Sequence, residues 1–312
     1  MKTIRAVAPY AYSNGDNFKN YAFRAWQKAG GAVAPVHYPP RFLHHFAFRH
    51  EFPRFLPLKK QEARLRFVQP YSLGFDTWPD HARYEIVPMI WDCWPKEFDR
   101  TCHWLAKHHV RTVIVTASQT AERIRWRFPN LHVLFLPEGI DTSLYGAGRS
   151  LADRRINLLE IGSVVRSWYK KRYPTDYERL CLMPEDSDLS SNDGFRRVLQ
   201  DVKVTVMFPR CMTQTEEAGD VETLTQRYWE AMLSRVVMVG HAPSELVELV
   251  GYNPVIELDS ERPTEQIKDI LHRINDYQTL VDRNRQAALA MGDWSKRMKR
   301  LKQFLLECGY QL

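Results

Sequence analysis

The stretch Val202–Asp259, VKVTVMFPRCMTQTEEAGDVETLTQRYWEAMLSRVVMVGHAPSELVELVGYNPVIELD, decides how the chain is built. It opens with a Val-rich run, Val202–Phe208, that stops at Pro209. The run is too short for a helix and is bounded by proline, so it reads as a strand of a parallel sheet. A polar loop follows, and apolar residues then recur at helical spacing over Thr223–Leu233. Val236–Val239 is a second apolar run, Ser244–Val250 a second helix and Pro254–Leu258 a third strand. Strand and helix alternate, as in a parallel sheet with helices on its faces.

The same alternation continues outward on both sides. Upstream, strands are expected at Thr3–Ala8, Ala32–His37, Ile86–Trp91, Thr112–Thr116, Val133–Leu136 and Ile156–Ile161. Helices are expected over Asn17–Lys28, Pro95–His108, Ser118–Phe128 and near Asp193–Gln200, with Pro95 suited to a first helical position and Ser118 to a cap. Downstream, helices near Pro263–Asn275, Gln278–Met291 and Trp294–Cys308 close the chain. The segment Tyr145–Arg155, YGAGRSLADRR, is polar, contains glycine and lacks apolar period, so it reads as a linker. The expected fold class is α/β: two Rossmann-like, doubly wound parallel-sheet domains facing a cleft. Their expected spans are residues 1–148 and 149–293, with the terminal helix, 294–312, packing back on the first.

Composition narrows the classes. The 312 residues are 44% apolar and 26% charged, which excludes a disordered chain, a collagen-like rod and a disulfide miniprotein. No window nears the roughly 18 uninterrupted apolar residues of a membrane span. Ala6–Pro9 is too short for a signal-peptide core, so the expected location is cytoplasmic. Five widely spaced cysteines without a C-x-x-C pair read as free thiols. Net charge is +7, and Arg41–Arg66 alone carries seven basic residues against two acidic ones. Phe42, Phe46, Phe48, Phe52 and Phe55 lie among them, with Phe67 just beyond. That mixture fits peripheral contact with an anionic membrane, from the inner face, or a stacking and phosphate surface for nucleic acid. A solvated loop with some phenylalanines packed inward is the plainer reading, and Pro53 and Pro57 interrupt any long amphipathic helix.

The chain has no G-x-G-x-x-G after a strand, no G-x-x-x-x-G-K-[ST] and no G-x-S-x-G. Dinucleotide, P-loop and α/β-hydrolase chemistry thus lose their usual support. The histidines at His44, His45, His50, His103, His108 and His109 lack metal-ligand spacing and read as packing or solvated residues. Asp186-Ser187-Asp188 has the D-x-D form that holds a divalent ion in many nucleotide-sugar enzymes, but its run of Pro, Glu, Asp and Ser reads as a solvated loop. No resident metal or cofactor is expected.

Two carboxylates carry the chemistry. Seven residues separate Glu222 from Glu230, and on a continuous helix their backbones would lie about 12 Å apart along the axis. That separation suits two hydroxyl-bearing parts of one extended ligand, with helix N–H groups between them for a diphosphate. A capping Glu222 and a surface Glu230 are the structural alternative.

In context, Glu222, seven residues, Glu230-Ala231-Met232, an apolar strand and Gly240 resemble the donor-binding motif of group 1 (family-four-like) glycosyltransferases of the GT-B fold. The resemblance implies transfer of a sugar from a nucleoside-diphosphate sugar to a glycan, lipid-linked or protein acceptor. Glu222 would lie near the donor sugar as the catalytic glutamate, with Thr223 and Leu224 beside it, and Glu230 would bind the ribose. Leu136-Pro137-Glu138-Gly139-Ile140-Asp141 is similar to the family's Pro-Asn-Gly-Val-Asp stretch, and INLLEIG, Ile156–Gly162, to its first C-terminal strand. Gly15, in the Ser13–Asn17 loop, sits where these enzymes bring a glycine to the phosphates. The first domain would then be the acceptor side and the second the nucleotide-sugar side.

The chain departs from the family in three places. Ser163 follows Gly162 where the family has Arg, so the diphosphate clamp falls to Arg166, Lys170, Lys171 or Arg172. Only 40 positions separate Gly162 from Val202, as in the short, spore-coat-type branch. The family's His in the central N-domain loop is missing, and Asp92 stands there as the residue to watch on the acceptor side. The resemblance implies retention of configuration, and the residues imply independence of divalent metal. Two other readings remain: a nucleic-acid-binding protein using residues 41–66, and a non-catalytic GT-B scaffold subunit.

Overall fold

The computed structural model describes residues 1–9, 17–35, 40–50, 59, 61–160 and 177–312. They divide into two units: Met1–Glu138 with Glu217–Val221 and Trp294–Leu312, and Gly139–Glu216 with Glu222–Asp293. Each unit has its own sheet, and every named strand pair is parallel.

The first unit runs β1 (Lys2–Val7), α1 (Phe18–Lys28), α2 (Arg41–Arg49), β2 (Glu62–Val68), α3 (Leu73–Thr77), β3 (Glu85–Ile90), α4 (Pro95–Lys107), β4 (Thr112–Val115), α5 (Ser118–Arg127) and β5 (His132–Phe135). Asn17 caps α1 by accepting the Asn20 N–H, and Pro95 opens α4. The N-cap of α5 is Ala117, one residue before the expected Ser118. The second unit runs β6 (Ile156–Glu160), α6 (Asn192–Leu199), β7 (Val202–Met207), α7 (Gln226–Leu233), β8 (Val237–Gly240), α8 (Ser244–Val250), β9 (Ile256–Glu257), α9 (Pro263–His272) and α10 (Gln278–Met291). The chain then re-enters the first unit with α11 (Trp294–Glu307) and β10 (Tyr310–Gln311). Sheet orders are β10-β1-β2-β3-β4-β5 and β6-β7-β8-β9, so the expected α/β class holds.

One face of the larger sheet explains the return of α11. Phe23 of α1 packs edge-on to Phe67 of β2, with centroids 5.9 Å apart. Phe67 meets Trp91 at 6.3 Å, and Trp91 meets Trp294 at 6.1 Å. Trp294 is buried, and an indole that size gives α11 a strong reason to dock there. Among the described residues, no helix is long and apolar enough to cross a membrane.

Two expectations need correction. The strand expected at Ala32–His37 is, among the described residues, only a bridge between Val33 and Ala6. The longer strand beside β1 is β2, which begins inside the stretch Arg41–Arg66 read as basic and runs two residues beyond it. Its residues alternate, with Ala63, Leu65 and Phe67 on one face and Arg64, Arg66 and Val68 on the other. The arginines are buried because each has partners. Arg64 donates to Glu62 at 2.9 Å and lies 3.7 Å from the Tyr84 ring centroid, and Arg66 donates to Asp80 at 3.1 Å. The span 41–66 is therefore not one basic face. Only α2 in it presents a described apolar surface, through exposed Phe42, Leu43 and Phe46.

The second correction concerns Tyr145–Arg155, which is fixed against the second unit rather than free. Leu151 and Arg154 are buried, and the Arg154 guanidinium donates to the carbonyls of Ala147, Arg149, Val202 and Ser234. Polar composition concealed an arginine that satisfies four backbone acceptors at once.

Two histidines of the first unit, His81 and His108, pack together against an indole. The His81 and His108 rings lie 4.5 Å apart, with Trp104 at 4.6 Å from His108. Burial, helped by neighbouring positive charge, pushes His81 down to about 3 and His108 to about 4. Both rings therefore bind protons more readily when the chain is unfolded, so their contribution is complete above about pH 6.5 and lost as pH falls toward 4. Urea denaturation should show stability dropping between about pH 7 and about pH 5, and His108→Phe should flatten that decline. An unchanged slope in the variant would show that the pair does not govern it.

Candidate functional site

The C-terminal edge of the second unit's sheet gathers the polar groups around Glu222. The strand β8 ends at Gly240, whose φ of 146° and whose Cα leave no room for a side chain: a Cβ would lie 1.9 Å from the Met207 carbonyl oxygen. Glycine therefore lets the chain pass β7 closely and project His241 beyond the strand. The His241 N–H donates to the Met207 carbonyl at 2.9 Å, and the Tyr228 hydroxyl donates to the His241 carbonyl at 2.8 Å. His241 Nε2 lies 3.3 Å from Glu222 Oε1, and its Nδ1 lies 3.2 Å from Oε2 of Glu257, the last residue of β9. The Ser244 N–H donates to Glu222 Oε2 at 2.8 Å. Burial alone would raise the Glu222 carboxyl, but the Ser244 N–H and hydroxyl, together with His241, outweigh it and hold the group below the usual range.

Glu230 occupies a different environment. It lies on α7 and is buried, and its Oε1 accepts from the Tyr145 hydroxyl at 2.9 Å and from Gln226 Nε2 at 3.3 Å. The Arg196 guanidinium sits 5.5 Å from the Tyr145 ring centroid. Burial pushes Glu230 above the usual carboxylate range, against the Tyr145 hydrogen bond and the charges of Arg227 and Arg196. An ionisable group buried in an apolar core with a specific hydrogen-bond partner is a candidate functional residue.

The helical spacing expected between the two glutamates does not form. Residues 222–225 are not helical, and α7 begins at Gln226 with Thr225 as its N-cap. Two β-branched threonines disfavour an earlier start. Leu224 also anchors the stretch elsewhere: its side chain is buried in the apolar core and its N–H reaches Glu245 at 3.4 Å. Thr223 is buried as well. Glu222 instead accepts the N–H of Ser244, the first residue of α8, and three non-helical residues follow it before α7.

Asp92 belongs to the first unit, just after β3, with a left-handed φ of 54° that non-glycine residues seldom adopt. Gln69 Nε2 donates to Asp92 Oδ2 at 2.9 Å, and the Tyr71 hydroxyl donates to Gln69 Oε1 at 2.6 Å. Asp186 pairs with Arg155 at 3.1 Å, and Asp188 accepts from Ser190 at 2.6 Å. Among the described residues no cluster of three metal-ligating side chains occurs. Gly15, Gly162, Arg166, Lys170, Lys171 and Arg172 lie outside the described residues. Sequence reasoning missed His241, Glu257 and Tyr145. Their only signals were a histidine directly after a strand-ending glycine and an aromatic residue at the start of a polar segment.

No family model matches the chain, and no curated protein matches it. Among solved structures it is similar to sucrose-phosphate synthase from Thermosynechococcus elongatus, with 15% identity, a TM-score of 0.57 and 99% of each chain covered. It is similar to Anabaena HepE in complex with UDP and glucose, with 12% identity and a TM-score of 0.55 over 98% of this chain and 100% of that one. TarM matches with 11% identity and a TM-score of 0.53 over 84% of this chain, which spans 58% of TarM. The fold these comparisons define is GT-B, built from two parallel-sheet units of Rossmann type.

Tyr145→Phe removes the hydroxyl donor from a buried carboxylate, which should cost about 2 kcal/mol near neutral pH. Because burial raises Glu230, the penalty should shrink as pH falls and the carboxyl takes up its proton. Urea denaturation of both proteins across that range measures the difference, and equal stability at neutral pH would contradict the bond.

Proposed function

We propose that the chain is a glycosyltransferase that moves a sugar from a nucleoside-diphosphate sugar to an acceptor, without a divalent metal and with retention of configuration. The observation that carries this reading is the buried Glu230 of α7, held by Tyr145, eight positions after a Glu222 held at the sheet edge by Ser244 and His241. In it, Glu230 takes the ribose hydroxyls and Glu222 the hydroxyls of the donor sugar. Carboxylate oxygens are the acceptors such hydroxyls need. The departing diphosphate needs its charge matched in a site shielded from water, and Arg166, Lys170, Lys171 or Arg172 supplies that cation. HepE, a structure of the same fold, was determined with UDP and glucose. The reading keeps Gly15 as the glycine for the phosphates and Asp92, which accepts a hydrogen bond from Gln69, as the residue for the acceptor side.

Contact with an anionic membrane, in this reading, narrows to α2. Arg41 and Arg49 bracket it, it contains no acidic residue, and Phe42 and Phe46 are 71% and 58% exposed. The nucleic-acid reading loses support, because Arg64, Arg66 and Phe67 are buried in the sheet.

Thermal-shift titration with UDP, GDP, ADP, CDP and dTDP tests the reading. One of them, at about 100 times its Kd, should stabilise the chain by about 2.7 kcal/mol, a shift of several degrees. Glu230→Gln should weaken that ligand about tenfold or more, while Glu222→Gln should keep its affinity and lose turnover. Donor hydrolysis should persist in EDTA, with NMR showing a retained anomer. Binding without any turnover would mark a scaffold, and no shift with any of the five would contradict the reading.

Sedimentation with anionic vesicles tests the membrane contact. Binding should be strong at low salt and fall steeply as salt rises, and Phe42→Asp with Phe46→Asp should abolish it. Binding that ignores both changes would place the contact elsewhere.

A further inference from the structure

We infer that His241 is a positioning residue for Glu222: it fixes the direction in which that carboxylate meets the donor. The inference rests on the proposed function, but it is drawn from a cluster that the donor motif does not contain. Glu222 is the residue at which the chain re-enters the second unit, and three non-helical residues separate it from α7. No helix of its own sets its orientation. Two neighbours on the far side of β8 act on it instead. The Ser244 N–H donates to Oε2 at 2.8 Å, and His241 Nε2 stands 3.3 Å from Oε1.

His241 is itself held at three points, two on its backbone and one on its ring. Its backbone is fixed where Gly240 crosses Met207, and the Tyr228 hydroxyl holds its carbonyl. Its Nδ1 faces Glu257 Oε2 at 3.2 Å, and Glu257 Oε1 in turn accepts from Asn253 Nδ2 at 3.1 Å. Both ring nitrogens therefore face groups that only accept, so each contact is a hydrogen bond when the nitrogen carries a proton. The order Asn253, Glu257, His241, Glu222 runs from the loop before β9, through the end of that strand, to the donor-facing carboxylate. It is the arrangement by which a second group orients a first, with Glu257 setting the ring and the ring setting Glu222. His241 is 33% exposed at its side chain and Glu222 26%, so the pair is partly open to solvent and reachable by a ligand.

The alternative is that His241 only staples β8 to β9 through Glu257. Two substitutions separate the roles. In His241→Gln the amide nitrogen reaches close to the place of the ring Nε2 and can donate to Glu222. In His241→Asn it falls near the place of Nδ1 and serves Glu257 alone. Full-length His241→Ala should lose about tenfold in kcat for donor hydrolysis, with the Kd for the nucleoside diphosphate unchanged within about twofold. His241→Gln should recover most of that loss, and His241→Asn should not. Melting curves of all three variants show whether each is folded, and the comparison of Gln with Asn holds even where Ala is unstable. Recovery by Asn equal to that by Gln, or an unchanged kcat in His241→Ala, overturns the inference and leaves the proposed function standing. A wild-type chain that binds no nucleoside diphosphate overturns both.

Discussion

The hydrogen bond from Tyr145 to Glu230, 2.9 Å long, organises the second unit. A carboxylate inside an apolar cluster is tolerable only with donors at hand; Gln226 reaches it from its own helix at 3.3 Å, and the shorter bond comes from 85 residues away. Supplying it draws Tyr145 into the core between α6 and α7, where Arg196 lies near its ring. The segment after Tyr145 must then follow the surface of the unit, and Arg154 secures it through four carbonyls. What sequence composition presents as a connector is a segment fixed to the second unit by buried Leu151 and Arg154. In that segment and in the Gly240–Met207 crossing, local structure serves the placement of side chains more than the economy of the fold.

The first unit meets its own constraint in β2. A strand near the middle of a parallel sheet is covered on both faces, so its charged residues must bring their partners with them. Glu62 and Tyr84 serve Arg64, and Asp80 serves Arg66. The opposite face carries the row Phe23, Phe67, Trp91 and Trp294, which ties the first helix to the last long one. Trp91 leads directly into Asp92, so the strained residue sits on a rigid support. Strain of that kind persists where surrounding packing determines the backbone, and it concentrates at functional sites.

Most of the architecture was legible from short apolar runs. The strands β3 to β8 and the helices α4, α5, α8 and α10 lie within a residue or two of their expected places, because short apolar runs alternate with longer segments of helical period. The strand β2 was not read, although Ala63, Leu65 and Phe67 carry the period of two, because the alternating arginines made the stretch look like surface. The pair Glu222 and Glu230 was legible as a pattern but not as geometry: the start of α7 depends on where Leu224 buries its side chain, which is a tertiary fact. The His241–Glu257 contact was out of reach, since it exists only because β8 and β9 pair with Gly240 opposite Glu257. Contacts made by strand register are invisible to local reading.

The central claim is that the sheet edge of the second unit holds a nucleoside-diphosphate sugar between Glu222 and Glu230. A crystal structure of the chain with the nucleoside diphosphate that stabilises it most tests this directly. The account predicts ribose hydroxyls within hydrogen-bond distance of Glu230, and the terminal phosphate directed toward the side on which Glu222 stands. A nucleotide bound in the first unit, or one whose ribose makes no contact with Glu230, would contradict it.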